Sequence, residues 1–171
     1  MPVYPRLLGA LATISCLALS GAFAAGGAWK FDTEDQGHPQ LAYLENNKWI
    51  FRVGCGHAFG FRAVYPGAPK KGEEKATITI ANTKTQMKFD GEIESDFSDE
   101  FPSNTTHFVQ WDLGFERQNP ELYGKTWKRL ESRFFDFLDS GQPLTVSAEG
   151  RSYVLPPVKI QRWKVRFKKL C

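Results

Sequence analysis

The densest chemical potential in the chain lies at Gly54-Cys55-Gly56-His57. On an extended strand, positions 55 and 57 share a side, so a thiolate and an imidazole there are suited to a copper or zinc site. A structural zinc site takes about four ligands and a catalytic one about three. The other histidines, His38 and His107, stand at no ligand-like spacing. The string therefore reads as a strand end with permissive glycines, and no metal or other cofactor is expected.

Two charged runs are the next candidates. From Asp90 to Glu100 the chain carries a cluster of carboxylates, among them Asp90, Glu92, Glu94 and Asp96. It lacks the ordered oxygen spacing of a calcium loop, and reads as the solvated outer face of a strand that discourages edge-to-edge pairing. Near the C-terminus, Lys159, Arg162, Lys164, Arg166, Lys168 and Lys169 form a basic run without an acid. Three readings fit it: contact with anionic lipid or another polyanion, docking on an acidic partner, or complementing the acidic strand. A solvated helix face is the simplest. The interaction surface expected from these runs comprises Asp90, Glu92, Glu94, Asp96, Arg162, Arg166 and Lys169.

Catalytic signatures are wanting. No G-x-S-x-G elbow occurs and no Ser-His-Asp set can be assembled. The many carboxylates permit a glycosidase pair without pointing to one. A formal charge of +3 over 171 residues is too small for a nucleic-acid-binding stripe.

The elements that must position these residues are mostly strands. Residues 41–55 alternate across Asn46-Asn47, whose tolerance of left-handed backbone suits a hairpin turn. In the second arm, Trp49, Phe51, Val53 and Cys55 are expected on one side. Phe59, Phe61, Ala63 and Tyr65 form a third run that ends at Pro66-Gly67-Ala68-Pro69. Ile78 and Ile80, then Met87, Phe89 and Ile93, continue the alternation around a turn at residues 82–84, and Val109, Trp111 and Leu113 follow. The period then changes: Trp127, Leu130, Phe134, Phe137 and Leu138 make one helical stripe, closed by Gly141 and Pro143. A hairpin turning at Glu149-Gly150 follows. The last segment, residues 158–171, suits helix or strand; a helix aligns Ile160, Trp163, Phe167, Leu170 and Cys171 and is preferred. Aromatics fall on the inward positions of nearly every element, as a packed core requires. The expected fold is α+β and β-rich: an antiparallel sandwich or partly closed barrel of about seven or eight short strands with two late helices.

The first segment is an address. Arg6 precedes an uncharged run from Leu7 to Leu19, and Ala22-Phe23-Ala24 supplies an A-x-A cleavage site. Residues 1–24 thus have the anatomy of a secretory signal peptide; lipid attachment at Cys16 is the weaker alternative. Residues 25–40 form a Gly- and Ala-rich lead-in, with Trp29 and Phe31 docking it, and residues 41–171 a single domain. Cleavage removes one arginine, leaving a formal charge of +2, and no later run is long enough to insert stably in a bilayer. Two cysteines remain, Cys55 and Cys171, which an oxidising compartment favours as a disulfide.

Trp29, the strand from Trp49 to Cys55, the late helix from Trp127 to Leu138 and the terminal Cys171 together resemble a loose group of small exported bacterial proteins of uncharacterised function. The resemblance implies an envelope location and transfers no activity. The chain is expected to be a periplasmic or secreted binding module, not an enzyme, acting through contacts with an envelope protein as an inhibitor or accessory factor. A barrel-type carrier of a small apolar ligand and an unrecognised hydrolase are the alternatives. The Asn104-Thr105-Thr106 sequon matters only in a glycosylating route. Intact-mass measurement of the exported form is expected to start at Ala25, with no free thiol before reduction; a mass beginning at acylated Cys16, or two titrating thiols, would overturn this reading.

Overall fold

The structure, a computed structural model, describes residues 26–33, 38–55, 59–94, 100–110, 120–160 and 163–170. Residues 1–24, His57, Asp96, Trp111, Leu113, Arg162 and Cys171 lie outside them.

Among the described residues, nine strands build one antiparallel sheet: β1 (Ala28–Asp32), β2 (Gln40–Glu45), β3 (Lys48–Cys55), β4 (Phe59–Val64), β5 (Lys75–Ala81), β6 (Gln86–Glu94), β7 (His107–Gln110), β8 (Leu144–Ala148) and β9 (Arg151–Leu155). Their spatial order is β1-β2-β3-β4-β7-β6-β5-β8-β9. The sheet curls into a half-barrel, so the partly closed barrel is the nearer of the two expected architectures. Helices α1 (Pro120–Leu138) and α2 (Trp163–Leu170) complete the β-rich α+β fold.

Turn chemistry sets the hairpins. Asn46 and Asn47 have φ of 50° and 60°, and Glu149 and Gly150 have 50° and 74°. Paired positive φ values are what tight two-residue hairpins require, because that twist matches the flanking strands. At the β5–β6 turn the Asn82 carboxamide oxygen accepts from the backbone N–H groups of Lys84 and Thr85, both at 2.9 Å. Gly141, at φ 69°, follows α1 in the left-handed conformation common after helix ends.

Curling brings distant strands together. The Trp29 indole on edge strand β1 donates to the carbonyl of Pro156, just past the other edge strand, at 2.8 Å. The buried Tyr153 hydroxyl of β9 donates across the concave side to the Val64 carbonyl at 3.0 Å. The Tyr65 hydroxyl donates to Glu149 at 3.1 Å, and that carboxylate also accepts from the Ala68 N–H at 2.9 Å, so the β8–β9 turn is held against the segment after β4. Burial and the neighbouring Glu149 push the Tyr65 phenol up to about 12.

Helix α1 fills the trough. The Phe134 ring stacks on Phe61 at 5.4 Å and 10° and on Phe51 at 6.3 Å and 29°. It meets Phe59 and Phe89 edge-on at 5.4 and 5.6 Å. Offset and edge-to-face arrangements are the favourable geometries for such pairs. One residue on, Phe135 passes the packing to Phe167 of α2 at 4.7 Å. Gly91 sits under this core on β6: an added Cβ would lie 2.4 Å from the Val109 carbonyl and 2.5 Å from the Phe108 ring.

Three expectations change. Residues 28–32, assigned to an irregular lead-in, form β1; its alternation is too short to register among glycines and alanines, although Trp29 and Phe31 do pack on the core. Helix α1 starts at Pro120, ahead of the first residue of the apolar stripe, as suits a proline in a first helical turn. Trp49 does not share a face with Phe51: the β2–β3 register moves from Tyr43↔Phe51 to Leu44↔Trp49, leaving Ile50 as an extra residue. A β-bulge of this kind reverses the strand's inside–outside parity.

Phe134→Ala is expected to cost about 3–5 kcal/mol in urea denaturation, because the rings around it cannot close over the space. A loss below about 1 kcal/mol would show that the stack does not carry the core.

Candidate functional site

The bulge creates a site-like cleft on the outer face of the sheet. With Ile50 taking the buried position beside Phe51, Trp49 turns outward to the face of Arg52, and the Arg52 guanidinium lies over the indole 4.1 Å from its centroid. A guanidinium over an indole is a favourable cation–π geometry. Around this pair lies an open cleft of about 360 Å3. Strand β1 contributes Lys30 and Asp32, paired at 2.8 Å. Strand β2 contributes Gln40, Ala42 and Leu44, and Glu100 closes the far wall, its carboxylate 4.0 Å from Arg52.

A cap holds that wall. The Glu100 carbonyl accepts from the Trp49 N–H at 2.6 Å. Phe101, fully buried, meets Trp49 edge-on at 5.7 Å and stacks on His107 at 3.9 Å. Thr105 Oγ1 lies 3.2 Å from His107 Nε2 and donates to the Pro102 carbonyl at 2.7 Å. Asn104, at φ 62°, turns the cap. Burial lowers the His107 pKa, the Arg62 charge lowers it further, and Glu94 opposes both. His107 is therefore neutral in the folded protein near pH 7, and its ring packs on Phe101 of the core.

The cleft offers recognition chemistry: both signs of charge, an amide, a flat aromatic shelf and an apolar floor within one opening. Pockets with a few convergent polar groups around apolar surface are the usual form of binding sites. Among the described residues, no group of three or more His, Cys, Asp or Glu side chains is placed to hold a metal ion.

The residues singled out from sequence are scattered. Asp90 accepts from the Thr77 hydroxyl, and Glu94 pairs with Arg62 at 3.8 Å. With Glu92 they project from β6 on the side opposite the buried Met87 and Phe89. On α2, Arg166 lies over the Phe31 ring at 5.3 Å, while Lys169 is exposed. The acids met by α2 lie in α1 and directly after it: Lys164 pairs with Asp136 and reaches Asp139 at 3.5 Å. Cys55 is buried at the end of β3 and disulfide-bonded. None of these residues lines the cleft; Trp49 and Arg52 are the residues missed. Their only sequence signal is an aromatic and a cation three apart, a spacing that places them on opposite faces of a regular strand.

Compared with known proteins, the chain matches no family model, no curated protein and no solved structure.

His107 gives a pH prediction. Its folded pKa lies below its unfolded value of about 6.5, so its contribution to stability is present above that value and is lost as pH falls through the folded pKa. Urea midpoints are expected to drop between about pH 7 and about pH 5 in the wild type and to drop less in His107→Gln. Equal slopes for the two proteins would dismiss the assignment.

Proposed function

We propose that the protein is an exported, soluble binding module of the bacterial envelope that acts through protein contacts as an inhibitor or accessory factor. The observation that carries this reading is the outer-face cleft: the Trp49–Arg52 shelf beside edge strand β1, with Lys30, Asp32 and Glu100 around it. Tryptophan and arginine are the residue types that most often dominate protein interfaces. Edge strand β1 lies beside them, and strand edges are surfaces on which extended partner segments dock.

The leader at residues 1–24 supports a periplasmic or secreted location. The disulfide of Cys55 agrees with that, and we assign its partner as Cys171. Cys16 lies in the leader, whereas Cys171 stands four residues after Phe167. Phe167 packs on Phe135, and Phe135 packs at 5.6 Å on Phe59, the cross-strand neighbour of Cys55. A bond between these cysteines would tie the chain end to the body of the sheet and stabilise it by about 4–5 kcal/mol at most.

Capture from envelope extracts on immobilised protein tests the reading. A specific partner is expected, with retention falling by at least about tenfold for Trp49→Ala and for Arg52→Glu, as for residues at an interface hot spot. Retention unchanged in both variants would remove the cleft from the interface, and with it this proposal.

A further inference from the structure

We propose that the two-helix layer of the molecule is a peripheral docking face for an anionic phospholipid surface, independent of the outer-face cleft. Helix α1 turns Phe134, Phe135, Phe137 and Leu138 into the curled sheet and leaves Lys128, Arg129 and Arg133 exposed. Helix α2 buries Trp163 and Phe167 and exposes Arg166, Lys168 and Lys169. The helices adjoin, since Lys164 bridges to Asp136 and Asp139 and both Lys128 and Lys168 act on Glu131. Lys128, Arg129, Arg133, Lys168 and Lys169 make no ion pair among the described residues.

Val165 lies among these cations with 71% of its surface exposed, more than any other large apolar side chain described. Lys168 and Lys169 follow it at helical neighbour spacings of three and four, so a protruding apolar group is flanked on one side by positive charge. Shallow burial of one apolar side chain combined with diffuse cation attraction suits a charged interface better than it suits a walled pocket. The distribution of acids reinforces this. Asp90, Glu92 and Glu94 project from the outer side of β6, away from the trough that holds α1. The two helices carry more cations than acids, whereas on the outer side of the sheet Asp90, Glu92 and Glu94 are offset by Lys30, Arg52, Arg62 and Lys88, so a negative surface attracts the helical side more strongly. Because the apolar stripe of α2 is engaged in the core, docking is superficial: no described helix is long and apolar enough to cross a membrane.

Co-sedimentation of the whole protein with vesicles tests this. Binding is expected to phosphatidylcholine vesicles containing about 30 mol % phosphatidylglycerol and not to phosphatidylcholine alone, because each cation near such a surface adds attraction. It should be lost on raising salt from about 0.05 M to about 0.5 M, where screening shortens to a few ångströms. Lys168→Glu with Lys169→Glu should weaken partition at least about tenfold, and Val165→Ser about threefold. The control pair Lys84→Glu with Lys88→Glu makes the same change in net charge on exposed positions of the β5–β6 hairpin and should leave binding within about twofold; circular dichroism confirms that each variant is folded. Failure to bind the anionic vesicles at low salt would overturn the proposal. So would equal losses in both charge-reversed pairs, or retention on duplex DNA without binding to vesicles. None of these results bears on capture by the cleft, whose Trp49 and Arg52 are unchanged.

Discussion

The parallel seating of Phe134 on Phe61 and Phe51 is the contact around which the molecule is arranged. A curled antiparallel sheet has a concave face that must be filled, and here one helix fills it with aromatic rings. Because the same turn of α1 carries Phe135 onward to Phe167, α2 is attached through the same packing. Both edges of the half-barrel are drawn to it: Trp29 packs on Phe51 at 6.1 Å and reaches Pro156, and Tyr153 spans from β9 to Val64. The described interior is packed with aromatic rings, and the proposed recognition surfaces lie on the outside.

The extra residue at Ile50 is the device that equips one of those surfaces. In a regular strand, Trp49 would join the aromatic interior and Arg52 would stand alone outside. The bulge places them together at the cost of one unpaired position in the ladder, and the Glu100–His107 cap covers the exposed edge of the arrangement. Bulges beside functional sites re-aim side chains in this way. Burying a neutral histidine under Phe101 makes the cap pH-sensitive, with its stability present above the histidine's unfolded pKa and declining below it.

Local signals in the sequence carried far. Asn46-Asn47, Asn82 and Glu149-Gly150 mark three turns because their side chains or backbone freedom serve those turns directly. The three-and-four spacing through Phe134 and Leu138 marks the buried face of α1, and the terminal helix follows from the same rule. The signals that failed were those dependent on distant partners. Strand β1 exists because Leu41 and Tyr43 pair with Phe31 and Trp29, which five residues of weak alternation cannot announce. Period-two reasoning assigns Trp49 to the core because it has no means of detecting a skipped residue. The basic run reads as free or as matched to the acidic strand, whereas Lys164 finds its acids at the C-terminal end of α1 and just beyond it. The cleft was invisible for the same reason: β1, β2, β3 and the cap each supply too little of it to form a motif.

In this reading the aromatic interior is structural and the proposed binding surface is the outer face of β1–β3. Amide and indole chemical-shift mapping of the labelled protein, with and without envelope extract, tests it most directly. Perturbations confined to Lys30, Gln40, Trp49, Arg52 and residues 100–106 are the predicted result. Shifts centred on Phe61, Phe89 and Phe134, with the outer face unchanged, would contradict the account and point to a ligand held inside the half-barrel.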